Sequence, residues 1–259
     1  MKIFSTLLLF IFSTLAFGQV DSSNLKISKR VYYKYSFKER ECYTDNDSLI
    51  SESDSLVKDS VISEIEEMSY PIVKTLNKKL EKFLNDSIHN FFEVNELNTT
   101  SSEFSWSLTC MDDKPDEFSR NFKINFINSR YLSLTMLLDW EAGGGANGAS
   151  HQQKAISFDL KKRKILFVKD IIEEKYDSLI YKEIISQIKA SYDKWISDNL
   201  NLNTFTSTLY FPVAIKNDRI IIYWPLSFGS RGADEEISIF FDKYPFIFRK
   251  NFIESVQNK

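Results

Sequence analysis

Alternation of apolar and polar residues is the clearest pattern at the start of the chain, and it predicts strands. It occurs at residues 30–37 and again at residues 61–70, where Pro71 is expected to end the second strand. The stretch between them, residues 45–60, is rich in serine and aspartate and nearly free of aromatic residues. We therefore expect a flexible surface loop there.

Two later stretches instead place apolar residues every three or four positions, which predicts amphipathic helices. The first runs from residue 72 to residue 92, and its apolar stripe comprises Val73, Leu76, Leu80, Phe83, Leu84, Ile88, Phe91 and Phe92. The second begins at Tyr176, and its inward residues are Leu179, Ile180, Ile184, Ile188, Tyr192, Trp195 and Ile196. Asp170 is predicted to start a helix just before Ile171. His89 lies off the first stripe and is interpreted as a surface or satisfied residue.

Further strands are predicted between and after these helices, with short polar turns separating them. They cover residues 104–108, 122–127, 131–140, 155–160, 165–168, 211–215, 219–224 and 236–241. The acidic residues 112–117 and the basic residues 161–164 are interpreted as solvated turns, and residues 216–218 as a further turn. This order predicts an α+β protein with mostly antiparallel sheets, in two closely packed lobes that each carry a long helix on a sheet.

Composition and the first residues suggest a compartment. Residues 1–18 begin with Lys2, continue through a short apolar block and end in small residues, which is typical of a secretory signal peptide and too short for a membrane span. We therefore expect a periplasmic or secreted protein without stable membrane insertion. The formal net charge of −3 gives no reason to expect nucleic-acid binding. Cys42 and Cys110 either form a disulfide or remain one buried and one exposed thiol.

Glycine is scarce and concentrated in two places, which suggests loops whose backbone shape matters. One loop follows Trp140, and the other contains Arg231. The residues predicted to contact a ligand are Trp140, Gly143, Gly144, Gly145, Asn147, His151, Gly229, Arg231 and Gly232. A connecting loop that needs positive φ angles and holds no ligand is the alternative interpretation of the first loop.

Several short motifs in this region resemble a known family. They are Tyr131-Leu132-Ser133-Leu134, Gly144-Gly145-Ala146-Asn147, Ile156-Ser157-Phe158-Asp159-Leu160-Lys161 and Val168-Lys169-Asp170-Ile171-Ile172. Together they resemble domain-of-unknown-function family 3298, found in the lysozyme-sensing anti-sigma factor RsiV and beside the catalytic domain of certain peptidoglycan deacetylases. The resemblance implies a C-terminal domain at residues 111–259 and a smaller partner domain at residues 19–110. Asn147 stands at the family's histidine position, and His151 follows four residues later.

The leading functional hypothesis is an exported, non-catalytic binding domain that recognises a cell-envelope glycan or a protein acting on it, such as a lysozyme-like hydrolase. Trp140 and Trp224 could offer flat surfaces to sugar rings or anchor an interface, although tryptophans at strand ends are more often core residues. No cofactor or metal is expected, since neither phosphate-cradling motifs nor metal-ligand spacings occur. One alternative is a cell-wall sugar or acyl hydrolase that uses His151 with Asp139 or Glu141. Another is a periplasmic immunity or inhibitor protein.

Overall fold

The computed structural model describes residues 25–43, 56–93, 116–141, 149–191, 207–228 and 231–257. The strands are β1 (Lys26–Tyr43), β2 (Leu56–Lys74), β3 (Asp116–Ile127), β4 (Tyr131–Glu141), β5 (Ala149–Asp159), β6 (Lys164–Ile165), β7 (Ala214–Ile215), β8 (Arg219–Phe228) and β9 (Arg231–Phe240). The helices are α1 (Lys78–Phe91), α2 (Val168–Ile171), α3 (Asp177–Ser191) and α4 (Phe252–Gln257), with single 3-10 turns at Glu174–Tyr176 and Pro245–Ile247.

The described strands form two sheets. The larger one has six strands in the order β1-β2-β3-β4-β5-β6, and the smaller one has three in the order β7-β8-β9. All neighbouring pairs are antiparallel except β2 and β3, which are parallel. The predicted α+β class with mostly antiparallel sheets is therefore confirmed.

The larger sheet is covered on both faces, because its central strands alternate between two cores. On one face, Leu134 and Ile156 pack with the buried residues of α1, namely Leu80, Leu84 and Ile88. On the other face, Ala155 packs against Ile221 of the smaller sheet. The far side of the smaller sheet packs on α3 through Ile180, Ile184 and Ile188. Each of these buried leucine and isoleucine side chains stabilises the fold by roughly 1.5–3 kcal/mol relative to an exposed one.

Pro71 lies within β2 rather than ending it, and the edge of the sheet explains why. Beyond Met68, β2 has β1 as its only strand partner in the described part of the chain. Val73, two residues on, turns its N–H and C=O away from β1 and toward Asn85 of α1, at 2.9 and 2.8 Å. Pro71 shares that orientation, so its missing N–H falls on the side with no strand to receive it. The predicted strand end at Pro71 and the predicted loop at residues 56–60 are therefore wrong.

Helix α1 starts later than the apolar stripe predicts. Asn77 precedes it, and the Asn77 side chain accepts a hydrogen bond from the backbone N–H of Leu80 at 3.1 Å. This is the capping interaction that fixes a helix start. Val73 belongs to β2, and Leu76 is 81% exposed, so the prediction that Leu76 packs inward is wrong.

Other boundaries also differ from the predictions. Asp116 and Glu117 begin β3, so they are not part of a turn. The strand predicted at residues 165–168 is reduced to the two-residue strand β6, because Val168 already starts α2. The strand predicted at residues 211–215 is reduced to the two-residue strand β7. Asp170 lies inside α2 rather than before it, but its carboxylate accepts the Phe167 N–H at 3.1 Å and so still supports the helix start. The strand predicted at residues 104–108 and the last three inward residues of the second helix lie outside the described residues.

The larger sheet crosses the expected division at residue 110, because β2 and β3 pair directly. The division into residues 19–110 and 111–259 stays a prediction. Residues 1–18 lie outside the described residues, so the signal peptide and the exported location also stay predictions. Within the described ranges, every helix is too short or too polar to cross a lipid bilayer.

Candidate binding site beside the β4–β5 hairpin

His151 and Asp139 form a contact between two neighbouring strands. The register of β4 and β5 places them directly opposite each other, and His151 Nδ1 lies 2.6 Å from Asp139 Oδ1. Their side chains are 75% and 49% exposed, so both remain accessible to a partner. The imidazole Nε2 has no partner among the described residues. The predicted ligand residue His151 is thus oriented by Asp139 through one ring nitrogen.

Carboxylates from three strands surround this pair. The registers place Glu67, Ser119, Asp139 and His151 in one row across β2, β3, β4 and β5, and Glu117 pairs with Glu141 in the next row. Residues paired in this way share one face of the sheet. They line a cavity of about 290 Å³, which we call the acidic groove; its lining comprises Ile65, Glu67, Glu117, Phe118, Ser119, Asp139, Trp140, Glu141 and His151. Four carboxylates in one concave, partly exposed site give it a negative potential.

Trp140 is next to Asp139 in β4, so its side chain points to the opposite face of the sheet. There it lies against Phe118, with ring centroids 6.1 Å apart and ring planes inclined by 32°. The indole Nε1 is buried and has no hydrogen-bond acceptor among the described residues. A second shallow cavity of about 230 Å³ lies beside this aromatic pair. The predicted ligand residue Trp140 therefore adjoins the acidic groove but is only partly accessible.

Trp224 does not offer a flat surface to a partner. It is 1% exposed and stacks on Phe211, with ring centroids 4.8 Å apart and planes inclined by 14°. Trp224 lies two residues after Ile222 in β8, so both side chains point to the same face, toward α3 and the core. Of the two interpretations of Trp224, the core residue is the correct one, because the strand turns its side chain inward.

The strands β5 and β9, which adjoin the two glycine-containing loops, run side by side. Gln153 of β5 donates its backbone N–H to Asp234 of β9 at 2.7 Å. Four residues later in β5, the Ser157 hydroxyl donates to the carbonyl of Val213, the residue before β7. Ala214, the residue after Val213, is in register with Ile221 and through it with Ser238, which lies four residues from Asp234. The strands therefore run side by side toward their turns. Gly143, Gly144, Gly145, Asn147 and Gly229 lie outside the described residues, while Arg231 and Gly232 open β9.

Burial changes the ionisation of one carboxylate next to this region. Asp234 caps the free edge of β5 by accepting the Gln153 N–H. Burial raises the pKa of Asp234 above its ordinary value, although the Gln153 hydrogen bond and the charge of Lys154 partly oppose this. Within the described ranges, no three His, Cys, Asp or Glu side chains converge closely enough to hold a metal ion.

Sequence reasoning missed Glu67 and Glu117, although it identified Asp139, Trp140, Glu141 and His151. The missing signal is the parallel pairing of β2 with β3, which brings residues far apart in the chain into one row. Cys42 lies in β1 and Cys110 outside the described residues, so the disulfide stays a prediction.

The chain matches no protein-family model, and it matches no curated protein sequence. Solved structures do match it, and two of these are DUF3298 family proteins. A DUF3298 family protein from Pseudomonas aeruginosa aligns with a TM-score of 0.50 and 13% identity over 90% of this chain and 98% of that one. A DUF3298 family member from Bacteroides fragilis aligns with a TM-score of 0.45 and 11% identity over 90% and 100%. The first of these carries the comparison, and the resemblance seen in the sequence motifs is confirmed at the level of the fold. The chain therefore has the fold of a DUF3298-type protein.

Proposed function

We propose that this chain is an exported, non-catalytic binding domain, and that its acidic groove binds a basic protein that acts on the cell envelope, such as a lysozyme-like hydrolase. One observation carries the proposal: the carboxylates of Glu67, Glu117, Asp139 and Glu141 line a single open cavity beside the β4–β5 hairpin. A cluster of one charge sign accelerates encounter with an oppositely charged partner and disfavours partners of the same sign.

The charge of the groove also favours a protein over a glycan as the ligand. Peptidoglycan carries carboxylates of its own, and these would be repelled by the four in the groove. Neutral sugar rings usually stack on an open aromatic face, whereas Trp140 is partly covered by Phe118 and lies on the opposite face of the sheet. Lysine and arginine side chains from a protein partner fit the groove without either difficulty.

The test compares two variants with the same change in net charge. One is Glu117→Gln/Asp139→Asn/Glu141→Gln in the groove, and the other is Glu174→Gln/Asp242→Asn/Glu254→Gln at exposed positions elsewhere. Residues 19–259 are immobilised, and binding of a purified lysozyme is followed by biolayer interferometry at two salt concentrations. The groove variant should lower the association rate about tenfold, while the control variant changes it little. Equal losses in both variants would contradict a specific groove.

A second arm separates the protein ligand from the glycan. The same chain is incubated with insoluble peptidoglycan and sedimented. Retention on peptidoglycan without binding to lysozyme would favour the glycan as ligand. Retention on neither would exclude both versions of the proposal. Lysozyme activity measured in the presence of the chain tests whether binding also inhibits the enzyme.

The contact between His151 and Asp139 supports a second candidate, a hydrolase. A carboxylate that holds one imidazole nitrogen leaves the other to act as a general base, as in known nucleophile-activating pairs. No described hydroxyl or thiol contacts this imidazole, so water would be the nucleophile. His151→Ala should abolish turnover of peptidoglycan or of a chromogenic acyl ester if this candidate is correct. Absence of turnover by the unmodified chain would exclude hydrolysis of these substrates.

A further inference from the structure

We infer that a second site, at the opposite end of β4 and β5 from the acidic groove, binds a phosphate group. A cavity of about 170 Å³ lies there, and five of the side chains that line it are cationic. They are Arg130, Lys162, Lys164, Arg249 and Lys250. We call this cavity the basic pocket.

Three separate parts of the chain build the basic pocket. Arg130 comes from the turn between β3 and β4. Lys162 comes from the turn between β5 and β6, and Lys164 from the first position of β6. Arg249 and Lys250 come from the segment before α4. The middle turn is held by Asp159, whose side chain is 3% exposed and accepts the backbone N–H of Lys162 at 2.8 Å. A hydrogen bond to a buried carboxylate fixes this turn, so Lys162 lies at a defined position on the rim.

The two carboxylates in the pocket are already engaged, and three cations remain uncompensated. Asp159 Oδ2 lies 3.6 Å from Arg130 Nε, and Asp170 pairs with Lys164 while also accepting the Phe167 N–H. Lys162, Arg249 and Lys250 form no ion pair with any described residue. The lining thus carries an excess of three positive charges, in a chain whose formal net charge is −3. Such a concentration of like charge in a concavity favours an anionic ligand.

The donors suit a tetrahedral oxyanion. The Arg130 guanidinium lies over the Tyr131 ring, 5.2 Å from its centroid, so its plane is held in place. Its buried Nε lies 3.6 Å from Asp159 Oδ2, an ion-pair distance too long for a hydrogen bond. Arg249 donates a hydrogen bond from its Nε to the Lys169 carbonyl at 3.0 Å. Two anchored guanidiniums with two unpaired ammonium groups can serve several oxygens at once, as a phosphate presents them. A planar carboxylate would accept hydrogen bonds from only one of the two guanidinium groups.

The basic pocket and the acidic groove are independent sites. Arg130 precedes β4 and Asp159 ends β5, whereas Asp139 and His151 lie near the other ends of the same strands. The strands separate the two sites by most of their length. A phosphate group fixed at one end would therefore leave the acidic groove open at the other.

The test titrates isotope-labelled residues 19–259 with inorganic phosphate, using chloride at equal ionic strength as the reference. Amide resonances of the basic pocket should shift and saturate with phosphate and not with chloride. Lys162→Ala and Lys250→Ala should each raise the dissociation constant about five- to tenfold. Lys161→Ala is the matched control, since Lys161 belongs to the same basic turn, is exposed and does not line the pocket. It should change the constant less than twofold, as expected for an exposed charge that does not line the pocket (about 0.4 kcal/mol).

The inference would be overturned if phosphate caused no saturable amide shifts in the basic pocket of the unmodified chain. It would also be overturned if Lys161→Ala and Lys162→Ala raised the dissociation constant equally. Unchanged thermal midpoints of the variants show that each is folded. Cosedimentation with phosphatidylglycerol vesicles, compared with phosphatidylcholine vesicles, identifies the source of the phosphate. Pocket-dependent binding to phosphatidylglycerol indicates a lipid headgroup, and binding to inorganic phosphate alone indicates a soluble phosphate compound.

Discussion

Asp139 and His151 lie opposite each other on adjacent antiparallel strands, with 2.6 Å between Asp139 Oδ1 and His151 Nδ1. Both side chains are largely exposed, so solvent screens the pair and its contribution to folding is small. A double-mutant cycle with Asp139→Ala and His151→Ala should give a coupling energy of about 0.2–1 kcal/mol. Urea unfolding of the four proteins measures it. A coupling of several kcal/mol would show that this pair is part of the fold rather than an accessible site.

Asn85 satisfies the backbone of β2 at the edge that no described strand pairs with, and its removal should destabilise the protein. Its side chain accepts the Val73 N–H at 2.9 Å and donates to the Val73 C=O at 2.8 Å, and Val73 is fully buried. Asn85→Ala leaves both backbone groups unpaired, which should cost about 1–3 kcal/mol of unfolding free energy. Asn90→Ala on the same helix is the control, because Asn90 is exposed. Equal unfolding free energies for the two variants would contradict this role of Asn85.

Asn85→Asp separates the two halves of this interaction by pH. The introduced carboxylate can still accept the Val73 N–H, but it faces the Val73 carbonyl as a second acceptor. Protonation restores a donor, so the folded state should raise the pKa of the new carboxyl. A group with a raised pKa in the folded state stabilises at low pH and loses that contribution as pH rises. The deficit of Asn85→Asp relative to the natural chain should therefore shrink on acidification, as measured by urea unfolding.

The strands and helices with strong periodicity could be predicted from the sequence, whereas their ends could not. Ile180, Ile184 and Ile188 are fully buried in α3, as their four-residue spacing indicates. Leu76 continues the stripe of α1 just as well, yet it is exposed because Asn77 caps the helix after it. Pro71 marks a strand end only if the strand has neighbours on both sides. The apolar periodicity alone carries no information about either circumstance.

The candidate site was predictable only where its residues are neighbours in sequence. Asp139, Trp140 and Glu141 lie next to the glycine-rich turn, and His151 follows it. Glu67 and Glu117 join them through the parallel pairing of β2 and β3, which depends on a crossover that no local pattern encodes. Trp224 was indistinguishable from Trp140 in sequence, since both are aromatic residues near strand ends. Only the packing of α3 on the smaller sheet makes Trp224 a core residue.

Two buried serines join the sheets and should be sensitive to substitution. Ser133 accepts the Ile215 N–H at 2.8 Å, the two serine hydroxyls lie 2.8 Å apart, and Ser157 donates to the Val213 C=O at 2.6 Å. Since each hydroxyl has one proton, all three contacts are satisfied when Ser133 donates to Ser157. Ser133→Ala should cost about 1–3 kcal/mol by leaving the Ile215 N–H unpaired.

The control for this pair is Ser186→Ala, an exposed position in α3. Adding Ser157→Ala to Ser133→Ala should cost less than the sum of the single changes, because both serines belong to one chain of hydrogen bonds. Chemical denaturation of the four proteins provides the comparison. Additive costs would show that the two hydroxyls act separately.

Asp234 gives the last prediction, because its charge is buried while its hydrogen bond is useful. Burial raises its pKa above the ordinary value of 3.8, so the folded state takes up a proton that the unfolded state has lost. The stability contribution of Asp234 is thus highest below its ordinary pKa and falls as pH rises through the raised pKa. Asp234→Asn keeps an acceptor for the Gln153 N–H and removes the charge, so its stability relative to the natural chain should increase from acid to neutral pH.

Asp234→Ala, which also removes the acceptor, should instead lower the free energy of unfolding by about 1–3 kcal/mol at neutral pH. Urea unfolding across this pH range checks both variants, and an Asp234→Asn protein clearly less stable than the natural chain at neutral pH would mean that the charge itself stabilises the fold.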